Sequence, residues 1–147
     1  MSADAAKAAF DVLKAHLSAG GTQTAKGRVL LATVKGDVHD IGKNIVKTLL
    51  ENYGFDVLDL GRDAAPELIV KTAAEQDIRL VGLSALMTTT VPYMEETIRL
   101  LRAKKPDCRV MVGGAVLNEE YARSIGADFY GRDAMSSVRY AESLFSA

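Results

Sequence analysis

From Arg28 onward the chain repeats one unit five times: a short β-branched apolar run, then a longer amphipathic run. The runs "RVLLATV" (28–34), "FDVLDLG" (55–61), "RLVGLSAL" (79–86), "CRVMVGG" (108–114) and "ADFYG" (127–131) read as strands. The intervening runs "DIGKNIVKTLLENYG" (40–54), "PELIVKTAAEQ" (66–76), "PYMEETIRLLRAKK" (92–105), "NEEYARSIG" (118–126) and "RDAMSSVRYAESLF" (132–145) read as helices. The first helix carries the stripe Ile41, Ile45, Leu49 and Tyr53, and the second opens on Pro66 in its first turn. The fourth has Asn118 as its N-cap and Gly126 just past its end. Strands that are apolar along nearly their whole length need cover on both faces. A parallel sheet between two helical layers provides it; a half-exposed antiparallel sheet does not.

The expected fold is therefore α/β: a doubly wound five-stranded parallel sheet, flavodoxin/Rossmann-like, with strand order 2-1-3-4-5. In such a sheet a ligand crevice opens beyond the carboxyl ends of the strands, at the switch between strands 1 and 3. Residues 28–147 make up this domain. Residues 1–27 stand outside the pattern. There "AAKAAFDVLKAHL" (5–17) is a helix with Ala6, Phe10, Leu13 and Leu17 on one stripe, and "SAGGTQTAKG" (18–27) is a linker. That stripe is expected to be the residual end of a separate helical domain.

Composition excludes several classes of function. A chain of 147 residues is long enough for one domain with a real core and short for two. A net charge of −1 with no basic cluster argues against nucleic acid and against an anionic membrane as partners. Cys108 is the only cysteine, so there is no disulfide framework, and it is expected as a small buried apolar residue. The N-terminal stretch has no basic and apolar signal pattern, and no run reaches membrane-spanning length, so a cytoplasmic address is expected.

Three segments fall where the fold places ligands: "GDVHDIG" (36–42) after strand 1, "SALMTTT" (84–90) ending strand 3 and "GGA" (113–115) ending strand 4. Strands 1, 3 and 4 are neighbours in the expected order, so the three segments line one crevice. His39 lies between Asp37 and Asp40. A carboxylate can take one ring N–H of a neutral imidazole, which fixes the tautomer and makes the other nitrogen a better metal donor. A lone histidine here is better read as a solvated turn residue beside a helix cap. The convergence of three strand ends reverses that preference. Gly42, Gly113 and Gly114 let backbone approach a large ligand, and Ser84 and the threonines 88 to 90 offer uncharged hydroxyls to a ligand or to Asp37.

Competing motifs fail on residues. A phosphate-binding loop needs four residues between its glycines and a Ser or Thr after its Lys. Gly36 and Gly42 are more widely spaced, and Asn44 follows Lys43. No G-x-G-x-x-G follows strand 1. A phospho-accepting receiver would need an acidic pair, an aspartate and a lysine where the chain has Lys35-Gly36-Asp37, Ser84 and Gly131-Arg132. His16, His39 and Cys108 lack zinc-ligand spacing.

Asp37-x-His39-x-x-Gly42, Ser84-x-Leu86 and Gly113-Gly114 together resemble the signature of the cobalamin (vitamin B12)-binding domain family, and the match extends over residues 28–145. The resemblance implies cobalamin (methylcobalamin) bound base-off, with His39 as the lower cobalt ligand, Asp37 as its hydrogen-bond partner and Thr90 extending that relay. It further implies that Gly36, Val38, Asp40, Ile41, Gly42, Leu86 and Ala134 contact the cofactor, with Ser84, Thr88, Gly113 and Gly114 on its nucleotide tail. Within the family, "TVKGDVHDIGKNIV" and "GLSALMTTTVPYM" are similar to methyl-transferring members. "GGAVLNEEYARSIGADFYGRDAM" and the "SADAAKAAFDVLKAHL" lead-in look most like bacterial methionine synthases. That likeness implies a methyl-carrying module, itself non-catalytic, serving homocysteine and methyltetrahydrofolate methyltransferase domains and a reductive reactivation partner. The alternatives it leaves are a corrinoid carrier of a methylamine or methanol methyltransferase, and a cobalamin shuttle. Methyl-transferring relatives carry a helical cap over the corrin, of which residues 1–27 resemble only the last helix.

Overall fold

The computed structural model describes residues 26–145. Ten elements alternate along it: β1 Arg28–Thr33, α1 Ile41–Asn52, β2 Asp56–Asp59, α2 Pro66–Glu75, β3 Leu80–Ser84, α3 Val91–Lys104, β4 Arg109–Gly113, α4 Glu119–Ser124, β5 Phe129–Tyr130 and α5 Ala134–Phe145. The strands form one parallel sheet in the order β2-β1-β3-β4-β5. This is the expected doubly wound fold. The lead-in helix and nearly all of the linker after it lie outside the described residues.

The period of two along each strand splits the core into layers. Val29, Leu31, Leu80 and Met111 face Leu50 of α1 and Val138 and Ala141 of α5. Leu30, Ala32, Val81, Leu83, Val110 and Val112 face α2, α3 and α4 through Ile69, Met94, Ile98 and Ala122. Asn118 caps α4, its side-chain oxygen accepting the Tyr121 N–H at 2.7 Å. Cys108 is fully buried, and burial pushes its thiol up to about 12, which makes it an inert packing residue.

One helical stripe behaves differently from its pattern. In α1 the buried residues are Lys43 and Leu50, whereas Ile41 is 77% and Ile45 51% exposed. The helix is where the periodicity puts it. Its N-terminal apolar residues look over an open crevice, however, not onto the sheet. Among the described residues no helix is long and apolar enough to cross a membrane.

Candidate functional site

The site begins where β1 stops. Gly36, at φ +84, turns the chain, and the Asp37 N–H closes the turn on the Val34 carbonyl at 3.0 Å. This drives the Asp37 carboxylate inward to complete burial. There its Oδ1 accepts the His39 backbone N–H at 3.0 Å and faces His39 Nδ1 at 2.8 Å. Its Oδ2 accepts the N–H groups of Leu86 at 2.7 Å and Met87 at 3.2 Å, and the Thr90 hydroxyl at 2.8 Å. One carboxylate thus ties the turn after β1 to the loop after β3.

Burial pushes the Asp37 carboxyl up, but the Leu86 and His39 amides, the Thr90 hydroxyl and the His39 ring outweigh it. Together they hold the group well below the usual carboxylate range. Asp37 is therefore ionised at neutral pH and can only accept hydrogen bonds. His39 Nδ1 must carry the hydrogen between them, which leaves the Nε2 lone pair of the neutral ring as a donor. The His39 side chain is 46% exposed, so that nitrogen is open to a ligand.

Beyond the ends of β1, β3 and β4, between α1 and α5, lies a cavity of about 720 Å³. Of the residues expected to hold a ligand, Val38, His39, Asp40, Ile41, Gly42, Ser84, Leu86, Gly113, Gly114 and Ala134 line it. Gly36, Asp37 and Thr88 do not. Asp37 is buried beneath the turn, and Thr88 is solvent-exposed in its loop. It is Thr90, not Ser84, that reaches Asp37. The Ser84 hydroxyl pairs with that of Thr33 at 2.9 Å.

Several lining residues carry no signature of their own. Gly82 forms part of the floor. A Cβ there would lie 2.5 Å from Leu31 Cδ2 and 3.1 Å from Met111 Cε, so a side chain would have to displace both, and both line the cavity. A glycine inside an otherwise apolar strand was the available clue. Lys43 lines one wall with its side chain 3% exposed, its ammonium 2.6 Å from the Asp59 carboxylate. Arg62, Arg132, Asp133 and Ser137 also line the cavity.

Val38, Ile41, Ile45 and Leu86, all large and exposed, line the same cavity beside His39. A cluster of this kind marks a binding surface, not ordinary surface scatter. The donor set narrows what binds. Among the described residues no group of three or more His, Cys, Asp or Glu could hold a bare metal ion. A single oriented imidazole beside an apolar surface and a deep crevice suits a metal that arrives with its other ligands already in a large ring system.

Comparison with known proteins gives the family of the chain. Residues 27–139 match the family described as the B12 binding domain. Dimethylamine corrinoid protein 1 of Methanosarcina acetivorans is 41% identical over 148 residues, covering 99% of this chain and 70% of the relative. A cobalamin-binding protein from Desulfitobacterium hafniense DCB-2 superposes with a TM-score of 0.77 at 39% identity, over 80% of this chain and 58% of that one. The methanol:cobalamin methyltransferase complex from Methanosarcina barkeri gives 0.82 at 31% identity, over 90% of this chain and 51% of that one. The chain therefore spans little more than half the length of those two solved relatives.

Proposed function

This chain belongs to the B12-binding domain family, and on that footing we propose that it holds cobalamin through His39 and carries methyl groups for a methyltransferase of the methylamine or methanol class. The observation that carries the reading is the free Nε2 of an imidazole whose other nitrogen is held by a buried, ionised carboxylate, set beside an apolar surface over a deep crevice. The residues fit the cofactor. His39 would supply the lower cobalt ligand. Val38, Ile41 and Leu86 would offer it apolar cover, and the crevice that Gly82 helps to line would hold more of the molecule. Bound there, cobalamin supplies a cobalt centre that can accept and give up a methyl group.

The chain's own part is to govern a proton and a lone pair. Asp37 keeps the hydrogen on Nδ1 and so leaves the Nε2 lone pair as the one that faces a ligand. Thr90 donates to the same carboxylate and tempers its charge. Whether or not Nε2 is ligated, Asp37 holds the ring in place through Nδ1.

The likeness to a dimethylamine corrinoid protein and to a methanol:cobalamin methyltransferase complex supports the methylamine or methanol reading over the methionine synthase expectation. The homocysteine and methyltetrahydrofolate domains expected as partners find no support among these relatives. The test is reconstitution: the cobalamin-loaded chain is mixed with methyltransferases of each class and its methylation followed by visible absorption. Methylation by a methylamine or methanol methyltransferase is the expected result. Methylation by a methyltetrahydrofolate domain, with neither of the others active, would overturn the assignment.

A further inference from the structure

We propose that Asp63 is a positioning residue that sets the His39 turn for cobalt ligation, a role that rests on the cofactor reading above. Asp63 lies in the loop joining β2 to α2, with a φ of 54, a left-handed backbone that a residue with a side chain adopts rarely. In that conformation it grips the turn after β1 at two backbone points. Its Oδ1 accepts the Gly36 N–H at 2.7 Å, and its own N–H donates to the Asp37 carbonyl at 3.0 Å. Gly36 is itself left-handed, and a Cβ there would sit 3.3 Å from Thr90 Cγ2, so the turn has little room to settle elsewhere.

Asp37 is thus held twice. Leu86, Met87 and Thr90 fix its carboxylate, while Asp63 fixes the backbone from which that carboxylate and His39 project. The loop has independent ties to β1: the Thr33 N–H donates to the Gly61 carbonyl at 2.8 Å, and the Ala64 N–H to the Thr33 carbonyl at 3.0 Å. Removing the Asp63 carboxylate therefore leaves the loop docked and loosens the turn alone. Unusual backbone kept by specific bonds beside a site is a recognised form of preorganisation. Asp63 lines no part of the cavity, so it acts only through the turn.

The experiment uses the full chain, apo and cobalamin-loaded, beside Asp63→Gly and Asp63→Asn. Glycine accepts the left-handed backbone and removes the acceptor; asparagine tolerates the backbone and keeps an acceptor. Two readouts are taken: the ratio of histidine-on to histidine-off cobalamin by visible absorption, and amide hydrogen exchange across residues 34–40 of the apo chain. Asp63→Gly should keep the cofactor, lower the ratio about five- to tenfold, as expected for one charge-assisted bond, and quicken exchange. Asp63→Asn should stay within about twofold of the parent. A glycine variant matching the parent in both readouts would overturn the proposal alone, as would an asparagine variant falling as far as glycine. A parent that never binds cobalamin histidine-on would overturn the cofactor reading and this proposal with it.

Discussion

Asp37→Ala is expected to cost about 3–5 kcal/mol of folding stability and to abolish a histidine-on cofactor, because it strips the acceptor from several buried donors at once. The Leu86 and Met87 amides and the Thr90 hydroxyl converge on one oxygen, and the His39 amide and ring on the other. Among the described residues no buried side-chain polar atom lacks a partner, so the parent has no slack in which the loss could be absorbed. Urea denaturation at neutral pH measures the difference. Asp37→Asn separates charge from shape. Because the folded carboxyl is held below the usual range, its stabilisation is complete above the unfolded value of 3.8 and is lost as pH falls through the lower folded value. The parent should therefore lose stability on that acid limb, and the asparagine variant should show a flatter one. Equal limbs in the two proteins would mean that Asp37 is not the ionised centre of the site.

Gly114→Ala should be the second large effect, at about 2–4 kcal/mol, with loss of cofactor retention. Gly114 has φ +140, and a Cβ there would be driven into the carbonyl oxygen of Ala85, backbone that cannot rotate aside like a side-chain end. Any relief must shift Ala85, and the next amide, that of Leu86, is a ligand of Asp37. Strain at the end of β4 thus reaches His39 through one peptide. Gly113→Ala is the control: its Cβ would meet the Gly131 carbonyl at an ordinary 3.6 Å, so a cost of about 1 kcal/mol or less is expected. Thermal melts and desalting of the loaded proteins compare the two. Equal effects at both positions would refute the close approach at Gly114.

The layer architecture was legible because burial on both faces writes itself locally: each strand is a short apolar run, and each helix a run with its own period and punctuation. The convergence of residues 36–42, 84–90 and 113–115 followed from strand order, which right-handed crossovers constrain strongly. What stayed hidden depends on contacts distant in sequence or on backbone angle. The stripe of Ile41 and Ile45 reports an apolar face without saying whether sheet or ligand covers it. The residues alone leave Ser84 and the threonines 88 to 90 equivalent as partners of Asp37; the resemblance points to Thr90, and Thr90 is the one buried against Asp37. Nothing local in the sequence marks Asp63 as a left-handed aspartate, or the Lys43 ammonium as folded against a neighbouring strand end. The methyl donor is a further case: of the two readings the resemblance leaves, the relatives favour the methylamine or methanol carrier over the methionine synthase module. Residues that hold the cofactor do not touch the donor, so the three motifs leave it open.

The most direct test of the central claim is a cobalamin titration of the parent chain and His39→Ala, desalted and followed by visible absorption. The account predicts that the parent keeps cobalamin with its own base displaced and an imidazole in its place. It predicts that the variant loses the imidazole-ligated spectrum, whether or not it keeps colour through the crevice. Identical spectra in the two proteins would contradict it, because His39 would then be a turn residue beside the cofactor and not its ligand.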